Sequence, residues 1–206
     1  MSASATLATR SGRSDFAAIA KWIRPKAHVL DLGCGDGSLL RHLRQARGAT
    51  GYGIEIDDAR VLACVGNGVN VLQRDLESEL SEFETDSFDY VILSQTLQAV
   101  RHTERIIKEM LRVGREGIVT FPNFGYWRHR LQILAGRMPV SKELPYEWFD
   151  TPNIHLFTIR DFESYCRTHS VRILERLVMD GAKPVNVLPN LLGSLAVFRF
   201  DAGSRA

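Results

Sequence analysis

A short apolar run that ends in three alternating glycines constrains the fold of this chain more than any other feature. Residues 29–32 (VLDL) form the run, and Gly33, Gly35 and Gly37 follow before an amphipathic stretch that begins at Ser38. Glycine lets the backbone turn sharply and approach a ligand more closely than a Cβ atom would permit. The order of strand, tight turn and helix predicts a βα unit with a ligand site at the carboxyl end of the first strand.

The same alternation of short apolar runs with amphipathic stretches continues along the chain. Further strands are predicted at 51–56, 69–74, 89–94 and 117–121, with helices near 58–64 and 102–113. Strands separated by helices indicate βαβ units and a parallel sheet covered on both faces. A helix near 160–169 then precedes two last strands, at 171–179 and 194–200. We therefore expect a doubly wound α/β fold with a mostly parallel seven-stranded sheet, in which the last hairpin brings in one antiparallel strand.

The chain is expected to form one domain. Ser14 is a suitable N-cap for a helix whose apolar residues recur at the spacing of one buried face, and Pro25 forbids its continuation. We assign residues 1–13 to a flexible terminus and 14–206 to a single domain. Within that domain, residues 122–156 carry most of the prolines. We interpret this segment as an insertion over the ligand cleft, because long loops inside compact domains tend to be functional.

Composition excludes several classes of function. The 206 residues carry 26 Lys and Arg against 24 Asp and Glu, so the net charge of +2 gives no broad attraction for nucleic acid or anionic lipid. Cys34, Cys64 and Cys166 are far apart in sequence and show no CxxC spacing, which predicts neither a disulfide framework nor a zinc site. No apolar run approaches the roughly 20 residues that span a bilayer. We expect a protein of the reducing cytoplasm, without a metal.

Two acidic residues follow the glycines, at the ends of the next two predicted strands. Glu55 lies where a carboxylate can accept hydrogen bonds from both hydroxyls of a ribose. Asp75 is placed to accept a hydrogen bond from an adenine amino group, while Leu76 packs on the ring. The glycine spacing is G-x-G-x-G rather than the G-x-G-x-x-G of dinucleotide sites, which disfavours NAD and FAD.

These residues resemble the cofactor motifs of class I methyltransferases, which use S-adenosylmethionine (SAM). The run VLDLGCGDG is similar to the first motif of that superfamily, and FDYVILS, which ends at Ser94, is similar to its fourth strand. The resemblance implies SAM or S-adenosylhomocysteine as the bound nucleoside. The cofactor-binding residues that it implies are Asp31, Gly33, Cys34, Gly35, Gly37, Glu55, Ile56, Asp75, Leu76 and Ser94.

A narrower resemblance covers nearly the whole chain, from about residue 14 to residue 200. The segments that carry it are FPNFGYWRHRLQ, GRMPV, LPY, WFDTPNIHLFT, SQTLQ and Asp180-Gly181. Together they resemble the MetW family of methionine biosynthesis proteins. This resemblance implies a protein that works beside MetX, the homoserine O-acyltransferase of methionine synthesis, as a protein partner. Methyl transfer itself does not follow from it.

The residues for catalysis are not identified by the sequence. Many small-molecule methyltransferases of this type have a histidine near the position of Gln98, and glutamine cannot act as a general base. Asn123 and Tyr126 are placed to meet a second ligand at the end of the fifth strand, although an ordinary loop fits equally well. His155 either lines the pocket or is a surface histidine. No catalytic residue is therefore assigned.

The Arg-rich stretch 127–131, the apolar run 185–192 and the function of the chain each allow more than one interpretation. The stretch 127–131 is interpreted as a solvated helix face rather than a nucleic-acid contact, and 185–192 either completes the core or offers a patch to a partner. The favoured hypothesis is a SAM-binding subunit that associates with the acyltransferase and sets its activity. The alternative is an active methyltransferase on a small metabolite. An RNA methyltransferase fits less well, given the near-neutral charge.

Overall fold

A computed structural model describes residues 14–77 and 80–203 of the chain. The predicted flexible terminus, residues 1–13, lies outside the described residues. Seven α-helices are present in the described part: α1 (Ser14–Trp22), α2 (Ser38–Arg47), α3 (Asp58–Gly66), α4 (Thr103–Val113), α5 (Trp127–Leu134), α6 (Ile159–Thr168) and α7 (Pro189–Leu192). Eight strands accompany them: β1 (His28–Leu32), β2 (Thr50–Glu55), β3 (Val71–Gln73), β4 (Phe88–Ser94), β5 (Gly114–Pro122), β6 (Arg172–Asp180), β7 (Lys183–Pro184) and β8 (Leu195–Asp201).

All eight strands belong to one sheet, in the order β3-β2-β1-β4-β5-β8-β6-β7. Strands β1 to β5 pair in parallel, and β8 is antiparallel to both β5 and β6. The direction of winding reverses between β1 and β4, since β2 and β3 lie on one side of β1 and the later strands on the other. Ligands of open α/β sheets bind at the carboxyl ends of strands at such a point.

Two hydrophobic clusters cover the two faces of the sheet. Neighbouring residues of a strand point to opposite faces, and accordingly Val29 packs with α1 and α2, whereas Leu30 packs with α4 and α6. The predicted apolar face of α1 is buried, with Ile19 and Ile23 inaccessible to solvent. The sheet is therefore doubly wound, as the alternation of elements predicts.

The structure confirms the predicted fold class and changes the strand count by one. The eighth strand is β7, only two residues long, which pairs with the end of β6 through a turn at Gly181. A single turn of helix, α7, also lies in the segment between the last two predicted strands. Hydrophobic periodicity gives no signal for elements of two to four residues, which explains why both are absent from the prediction.

Glycines at the paired strands β1 and β2 allow the backbones to approach closely. Gly51 has a φ of 143°, and a Cβ atom there would lie 1.8 Å from the carbonyl oxygen of Val29. A Cβ atom on Gly53 would lie 2.3 Å from the Sγ atom of Cys34. Gly51 thus allows the close spacing of β1 and β2, and Gly53 allows the close approach of β2 to the glycine turn.

Gly51→Ala is expected to lower the free energy of unfolding by about 3 kcal/mol or more, because the methyl group overlaps backbone that cannot rotate away. Gly66→Ala is the matched control, since a Cβ atom at that helical position meets nothing within 4 Å. The control should be neutral or more stable by up to about 1 kcal/mol. Urea denaturation followed by circular dichroism measures both. Equal stabilities of the two variants would contradict the assigned contact.

Candidate functional site

The glycine turn joins β1 to α2 in a left-handed backbone conformation. Gly33, Gly35 and Gly37 have φ values of 67°, 61° and 74°. Gly37 is the N-cap of α2, and a Cβ atom there would come within 3.0 Å of Val69 and 3.1 Å of the Cys64 Sγ atom. A side chain would therefore be strained at this position by conformation and by contact. The turn presents backbone rather than side chains at the carboxyl end of β1.

Glu55 holds this turn against the end of β2. Its side chain is only 5% exposed, and its Oε2 atom accepts a hydrogen bond from the backbone N–H of Gly35 at 2.9 Å. The Oε1 atom accepts two more, from the N–H groups of Ile56 at 3.0 Å and Asp57 at 3.1 Å. Arg60 lies 3.8 Å from Oε2. A buried carboxylate thus sits beside the turn and is compensated by backbone donors.

A small cleft lies between the turn, α1 and the end of β4. Its lining residues are Phe16, Asp31, Gly33, Cys34, Asp36, Leu39 and Ser94. Asp31 is 2% exposed, and the Oγ atom of Ser94 lies 3.1 Å from the Thr120 Oγ1 atom. The cleft brings together the predicted residues of β1, the turn and β4. Glu55 adjoins it through Gly35.

The remaining predicted cofactor residues lie farther along the same edge of the sheet. Asp75 is exposed, and its Oδ1 atom accepts a hydrogen bond from the N–H of Glu77 at 2.9 Å. Leu76 is half-buried against the core, and Ile56 is 64% exposed. Ile56 directly follows β2, which Glu55 ends, and Asp75 and Leu76 follow the neighbouring strand β3. Polar and apolar groups are therefore both available for a planar base.

Gln98 connects the end of β4 to the insertion, a role that sequence reasoning missed. Its backbone oxygen accepts hydrogen bonds from the N–H groups of Ile154 at 2.8 Å and His155 at 2.9 Å. Its side-chain Nε2 atom donates to the oxygen of Gln95 at 2.9 Å, and Gln95 itself has a φ of 53°. His155 is half-buried, with Nε2 3.4 Å from the Arg101 oxygen. His155 therefore packs against the segment that follows β4, and it is not among the residues that line the small cleft.

Asn123 differs from the expectation that it meets a ligand. The residue is fully buried, and its Nδ2 atom donates to the oxygens of Asn190 at 3.1 Å and Gly193 at 2.8 Å. Its Oδ1 atom accepts from the N–H groups of Gly125 at 3.0 Å and Ile159 at 3.3 Å. Every donor and acceptor of the amide is used within the fold. Asn123 ties both ends of the insertion to the α7 segment instead.

The contacts of its ring and hydroxyl show that Tyr126 is also a structural residue. It is 4% exposed, its hydroxyl donates to the Asp180 Oδ2 atom at 3.3 Å, and its ring meets the ring of His129 edge-on. Burial, followed by the nearby carboxylate of Asp180, raises the pKa of Tyr126 above its usual value. The phenol therefore stays protonated at neutral pH.

His129 anchors the insertion from inside. The ring is completely buried, with Nδ1 3.1 Å from the oxygen of Asn123 and Nε2 3.0 Å from the Oγ atom of Ser141. Burial lowers the pKa of His129, because the low dielectric disfavours the charged imidazolium. Neutral imidazole has one donor and one acceptor nitrogen, which matches these two partners. The Arg-rich stretch 127–131 therefore folds as helix α5 around a buried histidine.

The outer surface of the insertion is apolar. Trp127, Leu131 and Leu134 lie on α5 with exposures of 38%, 54% and 84%, and Trp148 and Phe149 are 72% and 70% exposed. Further exposed apolar residues of the insertion and of the neighbouring α7 segment are Ile133, Met138, Val140, Tyr146, Ile154, Leu156, Val187, Leu188 and Leu192. Exposed apolar residues concentrated in one segment make that segment a candidate surface for interaction.

The larger cavity of the described residues lies away from the glycine turn. It is a groove of about 560 Å³ between α4 and α6, with Ile107, Tyr165 and His169 among its lining residues. The buried Glu55 carboxylate and the three backbone N–H groups that donate to it lie at the turn rather than in this groove. The described residues contain no group of three or more His, Cys, Asp or Glu side chains able to hold a metal ion. None of the helices in the described ranges is long and apolar enough to cross a membrane.

Comparison with known proteins relates the chain to one family. Residues 13–200 match the family described as "Methionine biosynthesis protein MetW". The chain is 36% identical over 205 residues to the "Bifunctional methionine biosynthesis protein MetXA/MetW" of Rhodopirellula baltica, a match that covers 93% of this chain and 33% of that protein. It is 34% identical over 102 residues to the "Ubiquinone biosynthesis O-methyltransferase" of Hahella chejuensis, covering 47% and 42% respectively. The chain thus matches less than half the length of each of these relatives.

Solved structures share the fold at low sequence identity. A putative methyltransferase in complex with the Trm112 methyltransferase activator of Haloferax volcanii superposes with a TM-score of 0.69 and 14% identity, covering 95% of this chain and 92% of that chain. A SAM-dependent methyltransferase from Mesorhizobium loti gives 0.68 and 14%, covering 92% and 98%. The architecture is therefore that of SAM-dependent methyltransferases.

His129 predicts a loss of stability at mildly acidic pH. The folded protein resists protonation of the ring, whereas the unfolded chain takes up the proton near its ordinary pKa of about 6.5. The stabilisation is complete above that pH and is lost as the pH falls, with a slope of at most about 1.4 kcal/mol per pH unit. Urea denaturation between pH 7.5 and pH 5.5, values chosen on the order of one unit either side of that pKa, measures it. His129→Gln should have a flatter slope than wild type, and identical slopes would contradict the assignment.

Proposed function

We propose that this chain, which belongs to the MetW family of methionine biosynthesis proteins, binds SAM or S-adenosylhomocysteine at the glycine turn and associates with a MetX-type homoserine O-acyltransferase, raising its activity. The observation that carries the proposal is the buried Glu55 carboxylate, hydrogen-bonded to Gly35 beside the left-handed turn. We place this function in the cytoplasm, as the family resemblance implies. The fold is shared with SAM-dependent methyltransferases.

The residues present fit an adenosine-containing ligand. A carboxylate oxygen offers two acceptor positions. The Oε1 atom of Glu55 uses both on backbone N–H groups, whereas Oε2 accepts one hydrogen bond, from Gly35, with Arg60 3.8 Å away. A ribose hydroxyl therefore has an acceptor at Oε2. The glycines leave the space that Cβ atoms would otherwise fill, and Asp75 stands beyond Glu55 to meet the base.

The association with an acyltransferase is supported by two observations of different kinds. The relative from Rhodopirellula baltica carries both names, MetXA and MetW, in one protein. On this chain, the apolar surface of the insertion exposes aromatic side chains such as Trp148 and Phe149. Aromatic residues are enriched at the cores of protein interfaces. We therefore assign the contact to the insertion surface, residues 127–156, together with 187–192.

An active methyltransferase on a small metabolite is the second candidate, and the intact geometry of the turn favours it. The residue at the position where a catalytic base would be expected, Gln98, argues against methyl transfer. Gln98 is 8% exposed and its amide is held by Gln95, so it neither takes a proton nor reaches out to a nucleophile. Incubation with labelled SAM and cell extract distinguishes the two candidates. Label in a small molecule in excess of the protein would show turnover, which the first candidate does not include.

Glu55→Ala is expected to weaken SAM binding by at least tenfold. The variant loses a charge-assisted hydrogen bond to the ribose, worth about 1.5–3 kcal/mol. Asp75→Ala should weaken binding less, because this side chain is exposed and water can take its place. Titration calorimetry measures both. The thermal midpoint of each ligand-free variant is the control, since Glu55→Ala also releases the N–H of Gly35. An unchanged affinity in Glu55→Ala would exclude this residue from the site.

Replacing apolar residues of the insertion surface is expected to abolish stimulation of the acyltransferase. Leu134→Ser combined with Trp148→Ser removes two exposed side chains, 84% and 72% accessible, without touching the core. The matched control is Leu62→Ser on α3, a residue 73% exposed outside this surface. Acyltransferase rate and co-elution on a sizing column are measured with each protein. The double variant should lose both stimulation and co-elution, and the control variant should retain both. Stimulation retained by the double variant would place the contact elsewhere.

A further inference from the structure

Two thiols that are distant in sequence meet beside the glycine turn. The Sγ atoms of Cys34 and Cys64 lie 3.7 Å apart, although 30 residues separate them. Both residues are buried, at 7% and 0% exposure, and neither takes part in a disulfide. The pair is not predicted by the sequence, in which the cysteines show no recognisable spacing.

Each thiol belongs to a different part of the site. Cys34 lies within the turn itself, between Gly33 and Gly35, and is among the residues that line the small cleft. Cys64 lies on α3, behind the turn, and its Sγ atom donates a hydrogen bond to the oxygen of Gly35 at 3.1 Å. Any change in the bonding of Cys64 is therefore transmitted to the backbone that the nucleoside would contact.

The two thiols differ in their access to the cleft. Cys64 is inaccessible, whereas Cys34 borders the cleft where we place the nucleoside. Burial raises the pKa of both thiols, so each is protonated at neutral pH and reacts slowly with weak oxidants. Reaction with a stronger oxidant is then controlled by whether the cleft is occupied.

We propose that Cys34 and Cys64 are an oxidation-sensitive dithiol, which a hydroperoxide converts to a disulfide that weakens nucleoside binding. This inference rests on the proposed function, because it concerns the regulation of the same site. The sulfur of the Cys34 thiol attacks one oxygen of the peroxide, the O–O bond breaks, and the thiol proton passes to the departing oxygen, which leaves as water while Cys34 becomes a sulfenic acid. Cys64 then attacks the sulfenic sulfur, and a second water leaves. Two thiols and one hydrogen peroxide thus give one disulfide and two waters.

The cross-link must disturb the turn. A disulfide holds its sulfur atoms at about 2.05 Å, so the two side chains have to approach by about 1.7 Å from their present contact. Cys64 also loses the proton with which it donates to the Gly35 oxygen. The N–H of the same residue binds Glu55, so displacement of Gly35 moves the two peptide groups that flank its Cα atom and disturbs the hydrogen bond to the carboxylate.

To test this, reduced wild-type protein is treated with hydrogen peroxide, and the remaining thiols are alkylated in denaturant. The intact mass and the linked peptides are then measured. Cys166→Ser is the matched control, because Cys166 is equally buried, with burial raising its pKa to about 12, but packs in the hydrophobic cluster of α4 and α6. Cys64→Ser retains a hydroxyl able to donate to Gly35 and lacks the partner thiol. Titration calorimetry with S-adenosylhomocysteine is run on each protein before and after oxidation.

The expected result is a link between Cys34 and Cys64 in the wild type and in Cys166→Ser, slowed when S-adenosylhomocysteine is present. Affinity should fall at least tenfold in the linked proteins, return on reduction, and stay unchanged by peroxide in Cys64→Ser. Three alkylated cysteines after oxidation, or a link that involves Cys166, would overturn the pairing. A linked protein with unchanged affinity would overturn the regulation. Failure of the reduced wild-type protein to bind the nucleoside would instead remove the proposed function, and the regulation with it. The disulfide itself would still be detected by mass spectrometry, because that measurement does not depend on binding.

Discussion

The hydrogen bond between the Gly35 N–H and the Glu55 carboxylate is the contact on which the site depends. It joins the turn after β1 to the end of β2, so a loop of glycines with little conformational restraint becomes fixed at the switch point of the sheet. A buried carboxylate is costly unless it is compensated, and here three backbone donors compensate it, with Arg60 3.8 Å from Oε2. In the proposed function, the second acceptor position of Oε2 receives a ribose hydroxyl.

A second set of polar contacts holds the insertion in place over the same edge of the sheet. Asn123 and His129 are both fully buried, and each satisfies its side chain with partners inside the chain. Gln98 fastens the other end of the insertion to β4 through two backbone hydrogen bonds. The insertion can therefore display an apolar outer surface without collapsing onto the core. In the proposed function, this division lets one small domain combine a nucleoside site with a surface for a protein partner.

Much of the fold could be predicted from the sequence, because βα alternation and the glycine turn are local patterns. Glu55 likewise ends its strand, as its place at the end of the second predicted strand indicates, although its role toward a ligand stays a prediction. The role of Asn123 could not be predicted, since a buried amide and a pocket amide look the same in sequence and differ only in their partners after folding. The contact between Cys34 and Cys64 is similarly a product of tertiary packing of α3 on the turn. Two-residue strands such as β7 carry too few residues for a periodic signal.

The central claim is that the nucleoside site and the partner surface act together. By linkage, a nucleoside that changes the affinity for the acyltransferase must have its own affinity changed by the same factor in the complex. Titration calorimetry of S-adenosylhomocysteine and SAM into the wild-type protein, alone and saturated with the acyltransferase, tests this most directly. The account predicts a reproducible difference in Kd of at least about fivefold, at the lower end of ordinary coupling energies. Equal affinities with and without the partner would contradict it.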